Sequence, residues 1–224
     1  MVRTTTSRIG VLFLSLAAFQ AAPLTAFASL VNPGFELDDA SAGDVAGATG
    51  WGGFNARFTT ATVARTGNQS LKIFGPFFPF GGSGATQRIP TAPGELVDAS
   101  VWALNAGPAA DGLVGDNFGL MQVQFYNAAG ATLGPALDST RITAASPVGV
   151  WQQLTVLTVA PPDAAFAEIL LLHVQLNNPV TGGSVFFDDA SLTSVIPEPS
   201  VAAMLPSAAL LALRRRRRPA ASVV

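Results

Sequence analysis

The stretch Leu96-Val97-Asp98-Ala99-Ser100-Val101-Trp102-Ala103-Leu104-Asn105 decides the fold class. Val97, Ala99, Val101 and Ala103 fall on one side at period two, while Leu96, Asp98, Ser100, Trp102 and Leu104 fall on the other. Successive side chains of a strand point to opposite faces of its sheet, so this alternation belongs to a half-buried β-strand. Outward from it, the same rhythm recurs at Arg57–Ala64, Ser70–Phe74, Ala85–Ile89, Phe118–Asn127, Trp151–Ala160, Phe166–Asn177 and Ser184–Ser194. Turn formers separate the runs at Thr66-Gly67-Asn68, Pro93-Gly94, Asn127–Gly130, Pro161-Pro162-Asp163 and Asn178–Gly183. Helical periodicity is almost absent between residues 29 and 196. Many short strands at this spacing predict one all-β domain, a β-sandwich or jelly roll of antiparallel sheets.

The alternation also assigns faces. In Phe118–Asn127, Gln122, Gln124 and Tyr126 oppose Met121, Val123 and Phe125. In Phe166–Asn177, His173, Gln175 and Asn177 oppose Leu170, Leu172, Val174 and Leu176. Each strand then offers one apolar face to a core and one uncharged-polar face, with an occasional aromatic, to solvent. Gly107–Asn117 is too long for a hairpin turn and is a candidate functional loop.

The ends read differently. Arg3 and Arg8 precede the apolar run Ile9–Phe19, which leads to Ala26-Phe27-Ala28. That order of basic region, short apolar run and small-residue site predicts a signal-peptide helix over 1–28, with Ala26 and Ala28 presented to signal peptidase. Residues 195–224 hold the uncharged stretch Ser200–Leu213, interrupted by Pro206, and then Arg214, Arg215, Arg216, Arg217 and Arg218. The stretch is shorter than the ~20 residues of a spanning helix. Five arginines resist translocation, so a short C-terminal apolar helix would sit transiently in the inner membrane with this end held in the cytoplasm.

Composition removes several functions. The 224 residues contain no Cys and one His, which excludes disulfides, thiolate zinc sites, cysteine nucleophiles and multi-His metal centres. Residues 29–196 carry 13 acids against Arg57, Arg65, Lys72, Arg88 and Arg141, a net charge of -8. A domain of that sign has no electrostatic footprint for nucleic acid. No G-x-S-x-G elbow accompanies His173, and no catalytic residue is assigned.

Two family resemblances extend this reading. Pro197-Glu198-Pro199, an apolar segment and a terminal arginine cluster resemble the PEP-CTERM sorting signal, departing from it in the short span, Pro206 and the Pro219–Val224 tail. The resemblance implies export in a Gram-negative, exopolysaccharide-producing bacterium, recognition by an exosortase, and delivery to the cell surface or extracellular matrix. Leu30-Val31-Asn32-Pro33-Gly34-Phe35-Glu36, Gly67-Asn68-Gln69-Ser70-Leu71-Lys72, Trp151-Gln152-Gln153-Leu154-Thr155-Val156 and Val185-Phe186-Phe187-Asp188-Asp189-Ala190-Ser191-Leu192 follow one another across residues 29–194. In that order they resemble the jelly-roll domains of carbohydrate-binding modules and related galactose-binding-like folds. Trp151 resembles a packing position of that family and reads as core.

A jelly roll brings its first and last strands together, crowding Glu36 against Asp188 and Asp189. Crowded anions repel unless one is protonated or a cation lies between them. The resemblance implies a structural Ca²⁺ here, held by Glu36 and one of the two aspartates, which alternation places on opposite faces; Asp189 is the one expected to point inward. Asp111-Gly-Leu-Val-Gly-Asp116-Asn117 reads as a second cation loop or, better, as an acidic surface loop without the D-x-D-x-D spacing of an EF-hand. Gly75–Gly82 places Phe77, Phe78 and Phe80 among turn formers, either as an exposed interaction patch or as a cap over the sandwich. Trp51 sits in a glycine-rich loop and fits either role.

Sugar binding requires an aromatic platform beside amide and carboxylate groups. Trp102 with Asp98, and Tyr126 with Gln122 and Gln124, provide that combination on the polar faces, with His173 and Gln175 beside them. Trp102 packed under a loop, over a merely wet sheet, is the competing reading. The sequence therefore predicts an exported, exosortase-sorted protein that binds extracellular polysaccharide or another glycan without catalysis. The alternative is a structural matrix or adhesion protein with protein partners.

Overall fold

The computed structural model describes residues 29–76, 78–176 and 182–195. The expected terminal helices, Ala26, Ala28, Pro197, Glu198, Pro199 and Arg214–Arg218 all lie outside the described residues.

Eleven strands make up the described chain: β1 (Val45–Ala46), β2 (Gly52–Phe54), β3 (Arg57–Thr60), β4 (Ser70–Phe74), β5 (Gly81–Pro90), β6 (Leu96–Leu104), β7 (Phe118–Tyr126), β8 (Thr132–Thr143), β9 (Gln152–Val159), β10 (Phe166–Gln175) and β11 (Ser184–Val195). They form a six-stranded sheet in the order β1-β3-β4-β11-β6-β9 and a five-stranded sheet in the order β2-β5-β10-β7-β8. Neighbouring strands are antiparallel throughout. This is a jelly-roll β-sandwich.

The core lies between the sheets. From the six-stranded side come Leu71, Ile73, Val97, Ala99, Val101, Val185 and Phe187, and from the other Ala85, Met121, Val123, Ile169 and Leu171, all fully buried. On β6 the inward set is the one that alternation selects. Ahead of β1, Asn32 and Phe35 adopt positive φ (52° and 59°), so the Leu30–Glu36 motif turns instead of forming a strand. That turn buries Phe35 against Trp51, centroids 5.2 Å apart, and the Trp51 indole N–H donates to the Asn32 carbonyl at 3.0 Å. Trp51 is therefore core, whereas Trp151, read as core from sequence, is only half-buried.

β8 escapes the sequence reading because Gly134 and Pro135 interrupt its apolar rhythm. As an edge strand it tolerates a proline that lacks an N–H, and its pairing with β7 is irregular at two places. On β10 the expected faces are exchanged. Ala167, Ile169, Leu171, His173 and Gln175 point into the sandwich, all buried, while Leu170, Val174 and Leu176 pack with Phe118, Leu120 and Leu172 in a second apolar cluster on the opposite face.

Candidate functional site

The outer face of the five-stranded sheet carries Gln122, Gln124 and Tyr126 on β7. Across the ladder, Gln124 stands opposite Glu168 of β10, and Glu168 opposite Arg88 of β5. Arg88, Glu168 and Tyr126 form a network. Arg88 donates from Nη2 and Nε to Glu168 Oε2 at 3.0 and 3.2 Å, and the Tyr126 hydroxyl donates to Glu168 Oε1 at 2.8 Å. The Arg88 guanidinium lies 3.6 Å from the Tyr126 ring centroid. Burial, together with the bond to Glu168, pushes the Tyr126 hydroxyl above its ordinary pKa. One row away, Gln122 Nε2 donates to Asp138 Oδ1 at 2.7 Å, and Gln124 Nε2 donates to the Phe125 and Gly134 carbonyls at 3.0 and 3.2 Å.

Further along the same face lies an apolar cluster of Phe118, Leu120 and Leu172, all buried, with Leu170, Val174 and Leu176 half-buried around it. Arg141 covers the Phe118 ring at 4.2 Å, and Phe54 of β2 is exposed at the margin. The result is a face with carboxylate, amide, phenol and guanidinium groups at one end and a mostly buried hydrocarbon cluster, edged by Phe54, at the other. A pyranose ring has the matching duality, with hydroxyls around its edge and a C–H face.

The outer face of the six-stranded sheet is organised differently. Trp102 stands opposite Asp188 of β11 and Gln153 of β9. The Arg65 guanidinium lies 3.8 Å over the Trp102 ring while its Nη1 bonds Asp189 Oδ2 at 2.6 Å, so the ring serves as a shelf for an ion pair. Nearby, Lys72 is buried with its ammonium 4.4 Å from the Phe74 ring centroid, and Asp111 and Asp44 carboxylates approach at 3.3 and 3.9 Å. Asp111 of the long loop thus caps a buried lysine, and its carbonyl accepts from the Ser184 N–H and hydroxyl at 2.6 and 2.7 Å.

Glu36 of the N-terminal turn and Asp188 and Asp189 of β11 lie around Gly34. Asp188 Oδ1, Asp189 Oδ1 and Glu36 Cγ all lie within 4 Å of where a Cβ on Gly34 would stand. Glu36 Oε1 accepts the N–H groups of Asn68 and Gln69, both at 2.9 Å. Gly67 at φ 61° is what lets this loop approach, since any Cβ there would run into the Glu36 carboxylate. Asp188 Oδ2 accepts from the Arg65 and Thr66 amides at 2.8 and 3.3 Å, and Oδ1 from the Asp189 amide at 2.8 Å. The buried carboxylate is Asp188, opposite Trp102 and covered by the Arg65–Thr66 loop on the outer face, and Asp189 does not point inward. A register shift between Asp188 and Ser191, with Asp189 at φ 48°, breaks the alternation on which the other choice rested. Burial pushes the Asp188 carboxyl up to about 6. Asp189 turns outward to Arg65 and to the Thr66 hydroxyl, which donates to it at 2.6 Å.

The sugar-contacting residues predicted from sequence are therefore divided. Gln122, Gln124 and Tyr126 share the five-stranded face, Trp102 and Asp98 lie on the opposite side of the sandwich, and His173 is interior. His173 stands opposite Ser83 and Gly119 on the inward face. Its ring nitrogens lie near its own carbonyl and that of Gly183, yet neither makes a well-formed hydrogen bond, and the Ser83 hydroxyl is likewise buried without a partner. Burial pushes the imidazole down to about 4, so it is neutral at pH 7. In the loop after β4, Phe78 and Phe80 are exposed instead of capping the sandwich, and Phe77 lies outside the described residues. Arg88 and Glu168 were missed from sequence. The signal was a lone carboxylate in an otherwise apolar strand and one of only five basic residues in the domain.

No protein-family model matches the chain, and no curated protein matches it. Among solved structures it is similar to the xylan-binding CBM22-1 domain of Xyn10C from Paenibacillus barcinonensis, at 16% identity and TM-score 0.48, covering 79% of this chain and 99% of that one. TmCBM61 in complex with β-1,4-galactotriose matches at 15% identity and TM-score 0.46, covering 72% of this chain and 94% of that one. The enzymatically active domain of tailspike protein 4 from bacteriophage CBA120 matches at 17% identity and TM-score 0.48, over 74% of this chain. This chain spans 21% of the tailspike's length. The structural neighbours thus include carbohydrate-binding modules of jelly-roll fold.

Proposed function

We propose that the protein is exported, sorted by an exosortase to the cell surface or extracellular matrix, and binds extracellular polysaccharide or another glycan without catalysis. The observation that carries the binding reading is the Arg88–Glu168–Tyr126 network, with Gln122 and Gln124 beside it, next to an apolar cluster on the five-stranded face. Rings and aliphatic carbons would take the C–H face of a sugar, and the amide, guanidinium and carboxylate groups its hydroxyls. Export and sorting rest on the Ala26-Phe27-Ala28 site, processed by signal peptidase, and on Pro197-Glu198-Pro199 with the arginine cluster.

Calcium belongs to the same proposal as a structural ion. Hard carboxylate oxygens suit it, and the loop after β3 receives both carboxylates, Asp188 on the Arg65 and Thr66 amides and Glu36 on those of Asn68 and Gln69. Asp189 fits less well, being engaged by Arg65 and Thr66. No three His, Cys, Asp or Glu side chains form a metal cage among the described residues, so backbone carbonyls would complete the shell. Such an ion would fasten the N-terminal turn to β11.

The test is binding of the purified protein to the producing cell's own polysaccharide, with calcium and with chelator. Saturable binding that Tyr126→Ala weakens at least about tenfold, with folding intact, supports the proposal. A folded protein that binds no glycan would favour the structural matrix reading. A melting temperature unmoved by chelator would remove the ion.

A further inference from the structure

The two sheets end in four edge strands, and three of them are guarded. β1 and β2 are two and three residues long. β8 is 12 residues long but carries Gly134, Pro135, Asp138 and Arg141 and two irregularities in its pairing. Short length, proline, charge and bulges are the devices that keep an edge from recruiting another strand. β9, Gln152-Gln153-Leu154-Thr155-Val156-Leu157-Thr158-Val159, has none of them: eight residues without proline, glycine or charge, paired only to β6 among the described residues.

Its surroundings are equally bare. From Ile142 to Pro162 the chain has no charged residue, although the domain carries a net -8. Leu157 and Val159 on the outer face of β9 are 65% and 56% exposed, and Val148 and Val150 just ahead of it are 58% and 51% exposed. Exposed apolar side chains are thus concentrated beside an unpaired row of backbone donors and acceptors.

We infer that β9 is a homotypic edge: two copies of this chain pair antiparallel along it, joining their six-stranded sheets into one continuous sheet about a two-fold axis. Antiparallel self-pairing is isologous, so the surface has only to complement itself. Charge selects this edge for a second copy. Two domains of net -8 repel, yet in register with Leu157 the nearest charge is Asp98, one strand inward on β6. Across a β9–β9 joint the two Asp98 carboxylates would be three strand spacings apart, about 14 Å. That exceeds the Debye length of roughly 8 Å at physiological salt, so the repulsion is screened. Pairing at β8 would instead place Asp138 and Arg141 of each copy in the joint. The inference does not depend on glycan binding, because β9 belongs to the other sheet.

Sedimentation of the full chain over a wide concentration range tests it. The expected result is a monomer–dimer equilibrium that the double variant Leu157→Lys/Val159→Lys weakens by roughly tenfold or more, since it sets like charges across the joint. Both side chains are exposed, so the melting temperature should stay put, while Leu137→Lys on β8 should leave the dimer intact. A wild-type chain that stays monomeric at the highest concentration would overturn the inference, whether or not some other protein's strand binds there. So would self-association that the β9 lysines leave unchanged.

Discussion

The two outer faces of the sandwich hold the same kinds of residue and use them in opposite ways. On the six-stranded face, Arg65 lies on Trp102 and pairs with Asp189, Lys72 is capped by Asp111, and Asp188 accepts three backbone amides. Arg65, Thr66 and Asp111 come from loops folded over the sheet, and Asp189 from the bulge of β11 itself, so the polar groups there tie the chain to itself. On the five-stranded face, Arg88, Glu168, Tyr126 and Gln124 bond mainly along the sheet surface, between strands already held together by their ladders. A tryptophan beside an acid is therefore not a binding site by composition. What matters is whether loops or ladders consume its surroundings.

That contrast can be broken most severely at Asp188. Asp188→Ala takes the charged acceptor from three half-buried N–H groups and should cost about 2–3 kcal/mol, read as a fall in the urea midpoint. The folded fraction should keep its glycan affinity, because the proposed site is on the other sheet.

The pH response compares Asp188 with the buried imidazole of His173. The folded pKa of His173, about 4, lies below its ordinary 6.5, so the unfolded chain binds the extra proton between those values and stability falls as pH falls through that window. Asp188 acts in reverse. Its folded pKa of about 6 lies above 3.8, so protonation favours the folded state as pH falls from 6 toward 4. In chelator the two effects should oppose each other and leave the wild type nearly level across pH 4–6. His173→Leu should gain stability over wild type as pH drops from 6.5 to 4, by up to about 3 kcal/mol. A difference that stays constant with pH would show that His173 is not held neutral.

A pair of aromatic truncations sharpens the contrast further. Trp102→Ala should lower stability by about 2 kcal/mol and leave glycan affinity alone, and Tyr126→Ala should do the reverse, with affinity down about tenfold and stability by about 1 kcal/mol. If both variants lose stability and neither loses affinity, the two faces are equivalent and the glycan assignment fails. The smallest effect is expected from Arg88→Lys, which keeps the charge but loses the forked bond to Glu168. A few-fold loss of glycan affinity, measured by titration calorimetry, is the expected outcome.

The sequence made some of this legible and hid the rest for physical reasons. β4 and β6 were readable because their inward sides are apolar and their outward sides are not. β10 was misread because it is apolar on both sides, Ile169 and Leu171 facing inward and Leu170 and Leu172 outward, so the presence of His173 marked the wrong face as wet. The Asp188–Asp189 choice failed at a bulge, which shifts parity by one residue and leaves no trace in composition. Trp102 and Tyr126 looked alike because their covering partners, Arg65 and Arg88, are distant in sequence, and only the fold decides which of them arrives from a loop.

The bulge has a mechanical consequence as well. The ladder of β11 is divided in two. Ser191–Val195 pair with β6 alone, whereas Ser184–Phe187 are gripped by β4, with Phe186 and Phe187 held by β6 on the other side as well. A pull transmitted through the C-terminal segment meets these clamps in series, the one-sided before the two-sided. Under such a load the outer clamp is a fuse: bonded on one side only, it yields first, while the inner clamp, bonded on both sides, keeps the sandwich closed.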